Sequence, residues 1–174
     1  MAKEWEKLRE TYPDGIPGND VPNLVEGQWL NSDATRLEDF RGRFVLLDFW
    51  FIGCGPCHRE EPTLKLIHQT FPPDKFALVT VHNNSQTVDN VREFVNENRM
   101  RFPTVVDNAE GDISGQYRDY GIYFYPGYIL IDPSGKIVRN DGVPDSTNTL
   151  RMRKIELIQA AIQDWDWSQT APAR

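Results

Sequence analysis

The chain has 174 residues, 39% hydrophobic and 26% charged, with a formal net charge of -7 and two cysteines three positions apart. That length sets one domain as the default, burying roughly 70% of the surface its unfolded chain exposes, so no disulfide scaffold is needed to hold it together. The longest apolar stretch, FVLLDFWFIGC at 44–54, is broken by Asp48 and falls short of the roughly 18 residues of a membrane span, and no dense Lys/Arg block offers a surface for nucleic acid.

The start, MAKEWEKLRE, alternates charge where a secretory signal carries an apolar run, so the expectation is an intracellular chain or a mature domain parted from its targeting sequence. Residues 3–10 could form one or two helical turns, and TYPDGIPGNDVP is rich in breakers, so residues 1–25 read as an extension or linker. GQWLNSDATRLEDFRG suggests a short strand or hairpin and then a turn of helix. RFVLLDFW at 43–50 is nearly continuous in apolar residues, the pattern of a central strand covered on both faces.

A helix is expected from near Cys54 through HREEPTLKLIHQTF, with Leu64, Ile67 and Phe71 at helical spacing and a kink at Pro62. FALVTVH at 76–82 predicts a strand, and TVDNVREFVNENRM a helix with Val88, Val91 and Val95 on one face. TVVD at 104–107 is a short strand and DISGQYRDYG a short helix, while YILID and KIVRND form a hairpin around Pro133-Ser134-Gly135. A last helix, about 150–165, aligns Ile155, Ile158, Ile162 and Trp165. The order predicts an α/β domain with a mixed central sheet flanked by helices, because parallel strands need crossover helices whereas the closing hairpin needs only a turn.

Cys54-Gly55-Pro56-Cys57 carries the chemistry. The loop it closes is too short to constrain the unfolded chain, since disulfide stabilisation grows with loop length. Placed after a buried strand and at a helix start, both sulfurs meet unpaired N–H groups and the positive end of the helix dipole, which lowers the first thiol's pKa below its free value of about 8.5. Gly55 permits the tight entry, and Pro56 suits a position where no N–H is required. Cys54 is expected to be the accessible nucleophile and Cys57 the more buried resolving thiol. A zinc site would usually need four ligands; with only His58, His68 and His82 beside this pair, metal binding is weighted at roughly one in ten, and the expected metal is none.

With these residues in place, DFWFIGCGPCHREEP resembles the active-site segment of thioredoxin-fold proteins. LEDFRGRFVLLDFW, FPTVVD and YGIYFYPGYILIDPSGKIV extend the resemblance to the TlpA/ResA-type thiol-disulfide oxidoreductases, over about 26–165. The resemblance implies a thioredoxin-like fold with an N-terminal hairpin extension, divided as 1–25 extension or linker, 26–168 domain and 169–174 tail. It also implies a cis proline facing the dithiol, at Pro126 rather than Pro103. Base rates alone would favour a trans bond by roughly 19 to 1.

The resemblance further implies catalytic roles for Cys54, Cys57, Asp48 and Glu60. Asp48, six residues before Cys54, matches the buried acid of thioredoxins, and Glu60 matches the cavity glutamate of ResA-like proteins. Burial should raise the Asp48 pKa and suit it to pass a proton to or from Cys57. Glu60 could equally be a solvated helix residue like Glu61. Pro126, Tyr125, Gly53 and Trp50 form the expected substrate-binding set, with Trp50 packed beneath the Gly55-Pro56 turn as scaffold. His58 could stabilise a thiolate or point to solvent; His68 and His82 read as a helix surface and a strand end.

Gly53, Tyr125 and Gly127 depart from the family's usual tryptophan, small or β-branched residue and threonine, which puts partner choice in question. The lysine that neighbours the buried acid in thioredoxins has no evident counterpart in FALVTVH. The expected activity is disulfide exchange with protein thiols and disulfides, in the reducing direction, by a monomer with an upstream redox donor or acceptor. No cofactor is expected beyond the Cys54–Cys57 disulfide, and family resemblance implies an extracytoplasmic location. A peroxiredoxin-like thiol peroxidase, which would carry a threonine-containing PxxxTxxC loop, and a non-enzymatic binding or metallochaperone module are the alternatives.

Overall fold

The computed structural model describes residues 17–21, 27–107, 120–122, 124–141 and 149–170. Six strands form one mixed sheet in the order β1-β4-β3-β2-β5-β6: β1 Gln28–Leu30, β2 Phe44–Trp50, β3 Phe76–His82, β4 Thr104–Val106, β5 Gly127–Ile131 and β6 Ile137–Asn140. Central β2 runs parallel to β3, with Asp48 opposite Thr80, and antiparallel to β5, with Asp48 opposite Tyr128. All seven residues of β2 are buried, as its apolar run requires.

Strand alternation divides the core between the faces of the sheet. Phe44, Leu46, Trp50, Leu78, Tyr128 and Leu130 pack with Cys54 and Cys57 and with helix residues Leu64, Ile67, Val91, Val95 and Ile158. Val45, Leu47, Phe49, Val79, Val81, Ile129 and Ile131 pack on the other side with Leu37 and Phe40 of a short 3-10 turn and with Tyr120 and Ile122. The period of two places Asp48 on the first face, beneath the cysteine-bearing helix.

The helices are α1 Gly55–Thr70, α2 Val88–Glu97, α3 Thr149–Met152 and α4 Lys154–Asp164. Helix α1 runs through Pro62 as one element and ends at Phe71. The single final helix expected from the sequence is broken at Arg153, whose φ of -132° and ψ of 34° leave the helical region. Strands β5 and β6 form the expected hairpin, and Gly135 supplies the positive φ of 90° at its turn.

Strand β1 pairs with β4, and residues 22–26, where a hairpin partner would lie, fall outside the described residues. Residues 17–21 of the extension lie along β6, with Gly18 N donating to Ile137 O and Val21 N to Gly135 O, so they cover an otherwise open edge. The first helical turns at 3–10 and nearly all of the helix expected at 112–121 also fall outside the described residues.

Candidate functional site: a dithiol over a buried acid

Cys54 and Cys57 are disulfide-bonded, with Cα atoms 5.3 Å apart. Cys54 is the N-cap of α1, and its Sγ accepts from the Cys57 backbone N–H at 3.2 Å. A sulfur thus takes the place usually held by a capping oxygen, directing a helix-start donor at the atom that carries charge in the thiolate. Gly55 and Pro56 are exposed at the turn, with proline in the first helical positions. The expected contrast in sulfur exposure is absent from this disulfide form: Cys54 is 4% exposed and Cys57 6%. The disulfide and the contact with Cys57 N hold the first sulfur down against the helix.

Behind the disulfide, Asp48 is 2% exposed. Its carboxyl is pushed up to about 7, chiefly by burial; the Lys154 cation opposes the rise and the Glu60 carboxylate adds to it. Oδ1 has no hydrogen-bond partner among the described residues, consistent with an acid that holds its proton more tightly than a solvated one. Asp48, Trp50, Cys57, His58 and Glu61 help line a cavity of about 10 Å³, room for about one water molecule. The buried acid and the second cysteine therefore share one small space.

Glu60 is anchored by Lys154, whose Nζ donates to Oε2 at 2.8 Å. It is not a solvated twin of Glu61, which bonds Lys65 at 2.5 Å and faces the cavity. Lys154 also donates to Arg151 O at 2.6 Å and stands 4.1 Å from the centre of the Tyr128 ring. Its side chain is 2% exposed. A positive charge thus lies close to the buried acid, supplied by α4 rather than by the β3 segment searched in the sequence.

The loop before the cysteines is held by histidines. His82, fully buried, accepts the Ile52 N–H at Nε2 over 3.1 Å and donates from Nδ1 to Asn83 O at 2.5 Å. Burial pushes its pKa down to about 4 against the opposing Asn83 bond, so the ring is neutral near pH 7. Trp50 packs edge-on against His82 at 4.8 Å and at a tilt against Phe94 at 5.6 Å. His58 neither points to solvent nor serves the sulfurs: its Nε2 donates to Ile52 O at 2.6 Å and its ring lies on Phe94. His68 is exposed on α1.

The Tyr125–Pro126 peptide is cis. Tyr125 meets the pre-cysteine loop edge-on through Phe51 at 5.0 Å, while exposed Gly53 leaves that loop open. Gly127, read from sequence as a groove position, is buried; a Cβ there would lie 2.7 Å from Ile122 Cγ2 and 3.2 Å from Phe124 O. Arg151 secures the segment from behind, donating to Pro126 O, lying 4.8 Å over the Phe124 ring and reaching Asp141 at 4.0 Å.

Sequence reasoning missed Lys154, Arg151, Glu61 and the support given by His82. Lys154 did leave a signal: it lies four residues before Ile158, on the apolar stripe of the last helix, where a charge needs a partner. The described residues contain no group of three or more His, Cys, Asp or Glu arranged for a metal ion. No helix among them is long and apolar enough to cross a membrane.

The chain is 29% identical to thiol-disulfide oxidoreductase ResA of Bacillus thuringiensis subsp. konkukian over 122 residues, covering 70% of this chain and 67% of that protein. It is 29% identical to sporulation thiol-disulfide oxidoreductase A of Bacillus subtilis over 144 residues, 82% of this chain and 81% of that one. The thioredoxin domain of a thiol-disulfide oxidoreductase from Bacteroides vulgatus superposes with a TM-score of 0.63 at 28% identity, covering 79% of this chain and 96% of the other. The fold is thioredoxin-like, and these relatives are oxidoreductases of the thiol-disulfide class. Residues 17–140, more than half of the sequence, match the AhpC/TSA family model, and the chain belongs to that family.

Proposed function

We propose that this protein reduces disulfides of partner proteins through Cys54 and Cys57 and is returned to its dithiol form by an upstream protein dithiol. The observation that carries the reading is the cysteine pair at a helix start, with Asp48 and Cys57 lining one cavity. In the reduced form the Cys54 thiolate attacks one sulfur of the partner disulfide. A mixed disulfide forms, and the partner's other sulfur leaves as a thiolate. Cys57 then gives its proton to the Asp48 carboxylate and attacks Cys54 Sγ; the mixed bond breaks and the second partner sulfur leaves. Two electrons have passed to the partner, and two protons make its thiolates thiols.

Pro126 and Tyr125 present the partner's backbone to Cys54, with Gly53 leaving space beside it. Trp50 supports the strand end beneath the site, and Gly55 with Pro56 forms the turn. The protein acts as a monomer outside the cytoplasm and uses no cofactor beyond its own disulfide. These roles rest on the site geometry together with the resemblance to the thiol-disulfide oxidoreductases.

Insulin reduction with dithiothreitol as electron source tests the activity. Wild type should turn over and Cys54→Ser should not; Cys57→Ser should accumulate a mixed disulfide through Cys54. Failure to form that adduct would sink exchange, and Cys57→Ser that still consumes hydrogen peroxide catalytically would favour a thiol peroxidase. A reduction potential near the thioredoxin value of about -270 mV supports the reducing direction; one near about -120 mV reverses it.

A further inference from the structure

We propose that Lys154 is a positioning residue for disulfide exchange: from the C-terminal helix it holds Glu60, one turn beyond Cys57 on α1, and supplies the positive charge that keeps Asp48 available to take the proton of Cys57. This rests on the exchange reading above and adds a determinant from outside the cysteine and proline segments. The backbone break at Arg153 starts α4 with Lys154 turned inward. An ammonium has three donors. Here it meets the Glu60 carboxylate at 2.8 Å, the Arg151 carbonyl at 2.6 Å and the Tyr128 π face at 4.1 Å.

Charged and titratable groups converge here from several elements: Glu60, with His58 and Glu61 of the cavity that Asp48 lines, from α1, Asp48 from β2 and Tyr128 from β5, while Arg151 of α3 and Asp141 just after β6 act on Tyr128. The Glu60 carboxylate makes ionisation of Asp48 harder; Lys154 lies on Glu60 and draws Asp48 toward its carboxylate form. Without the cation, burial and Glu60 would both hold the proton on Asp48. Fewer molecules would then carry the base that Cys57 needs at neutral pH.

The test uses the reduced full-length chain and 5,5'-dithiobis(2-nitrobenzoate), which releases one thionitrobenzoate when Cys54 attacks and a second when Cys57 resolves the adduct. The second phase is followed from pH 5 to 9 in wild type, Lys154→Met, Lys154→Arg and Glu60→Gln. Lys154→Met should move the midpoint up by about one pH unit and, for a base starting near 7, slow the phase about fivefold at pH 7. Lys154→Arg should recover most of the rate. Glu60→Gln should move the midpoint down, because the repelling carboxylate is gone.

A folded Lys154→Met with wild-type midpoint and rate would overturn the role of Lys154 while leaving exchange intact. If Lys154→Met does not fold, Lys154→Gln, which keeps a hydrogen-bond donor for Glu60 and the Arg151 carbonyl without the charge, takes its place, and a wild-type midpoint in it overturns the role. Release of only one equivalent by wild type would defeat the exchange reading itself.

Discussion

Gly127 follows the cis proline and begins β5 opposite Phe49. An added Cβ would approach Ile122 Cγ2 to 2.7 Å and Phe124 O to 3.2 Å, so even alanine forces Ile122 or the backbone aside. Overpacking at such a site typically costs about 1–3 kcal/mol. Gly127→Ala should therefore lower the urea midpoint, and adding Ile122→Ala should make the pair less destabilised than the sum of the two single changes. Strict additivity would show that Ile122 does not set the requirement. At this scale Asp48 was legible because an acid between Leu47 and Phe49 in a buried strand demands a reason. The packing of Gly127 was not, and Lys154 showed only as a charge on an apolar stripe, since a missing side chain and a long-range ion pair take their meaning from residues distant in sequence.

Elements were more legible than their junctions. Strands β2 and β3 follow from largely apolar runs and α2 from its valine spacing, because both signals are local. The break at Arg153 has no proline or glycine to announce it; it accompanies the burial of Lys154 against Glu60, 94 residues away in sequence. Helix α2 shows what local chemistry does decide. The Thr87 side chain caps it, accepting the Asn90 N–H at 3.2 Å, and Arg99 just beyond its end adopts a φ of 54°. Thr87→Ala should cost about 1 kcal/mol through the lost cap. Arg99→Gly should regain up to about 1 kcal/mol by relieving the left-handed conformation. Thermal melts of the two variants should shift in opposite directions, and a Thr87→Ala melt equal to wild type would remove the cap from the account.

Stability of the whole molecule carries two opposed pH dependences from one face of the sheet. Asp48 titrates near 7 when folded and near 3.8 when unfolded, so between those values the native state binds more protons and stability falls as pH rises. His82 titrates near 4 when folded and near 6.5 when unfolded; there the unfolded state binds more protons, and stability is complete above 6.5 and lost as pH falls toward 4. Each slope is at most about 1.4 kcal/mol per pH unit, and the full effects are on the order of 4 and 3 kcal/mol. Over their shared window these groups largely cancel, which predicts a flat contribution where either alone would give a steep one. Asp48→Asn removes one side of the balance while nearly preserving shape. Its stability relative to wild type should grow as pH rises from 4 to 7, and its own curve should rise with pH through the His82 window. Urea titrations of both proteins from pH 4 to 8 measure this directly, and a difference that stays constant with pH would show that the buried acid does not titrate in that range. The same raised affinity for a proton that costs the folded chain stability near neutral pH lets Asp48 both receive and return the proton of Cys57 there, so the destabilising group and the proposed base are one carboxyl.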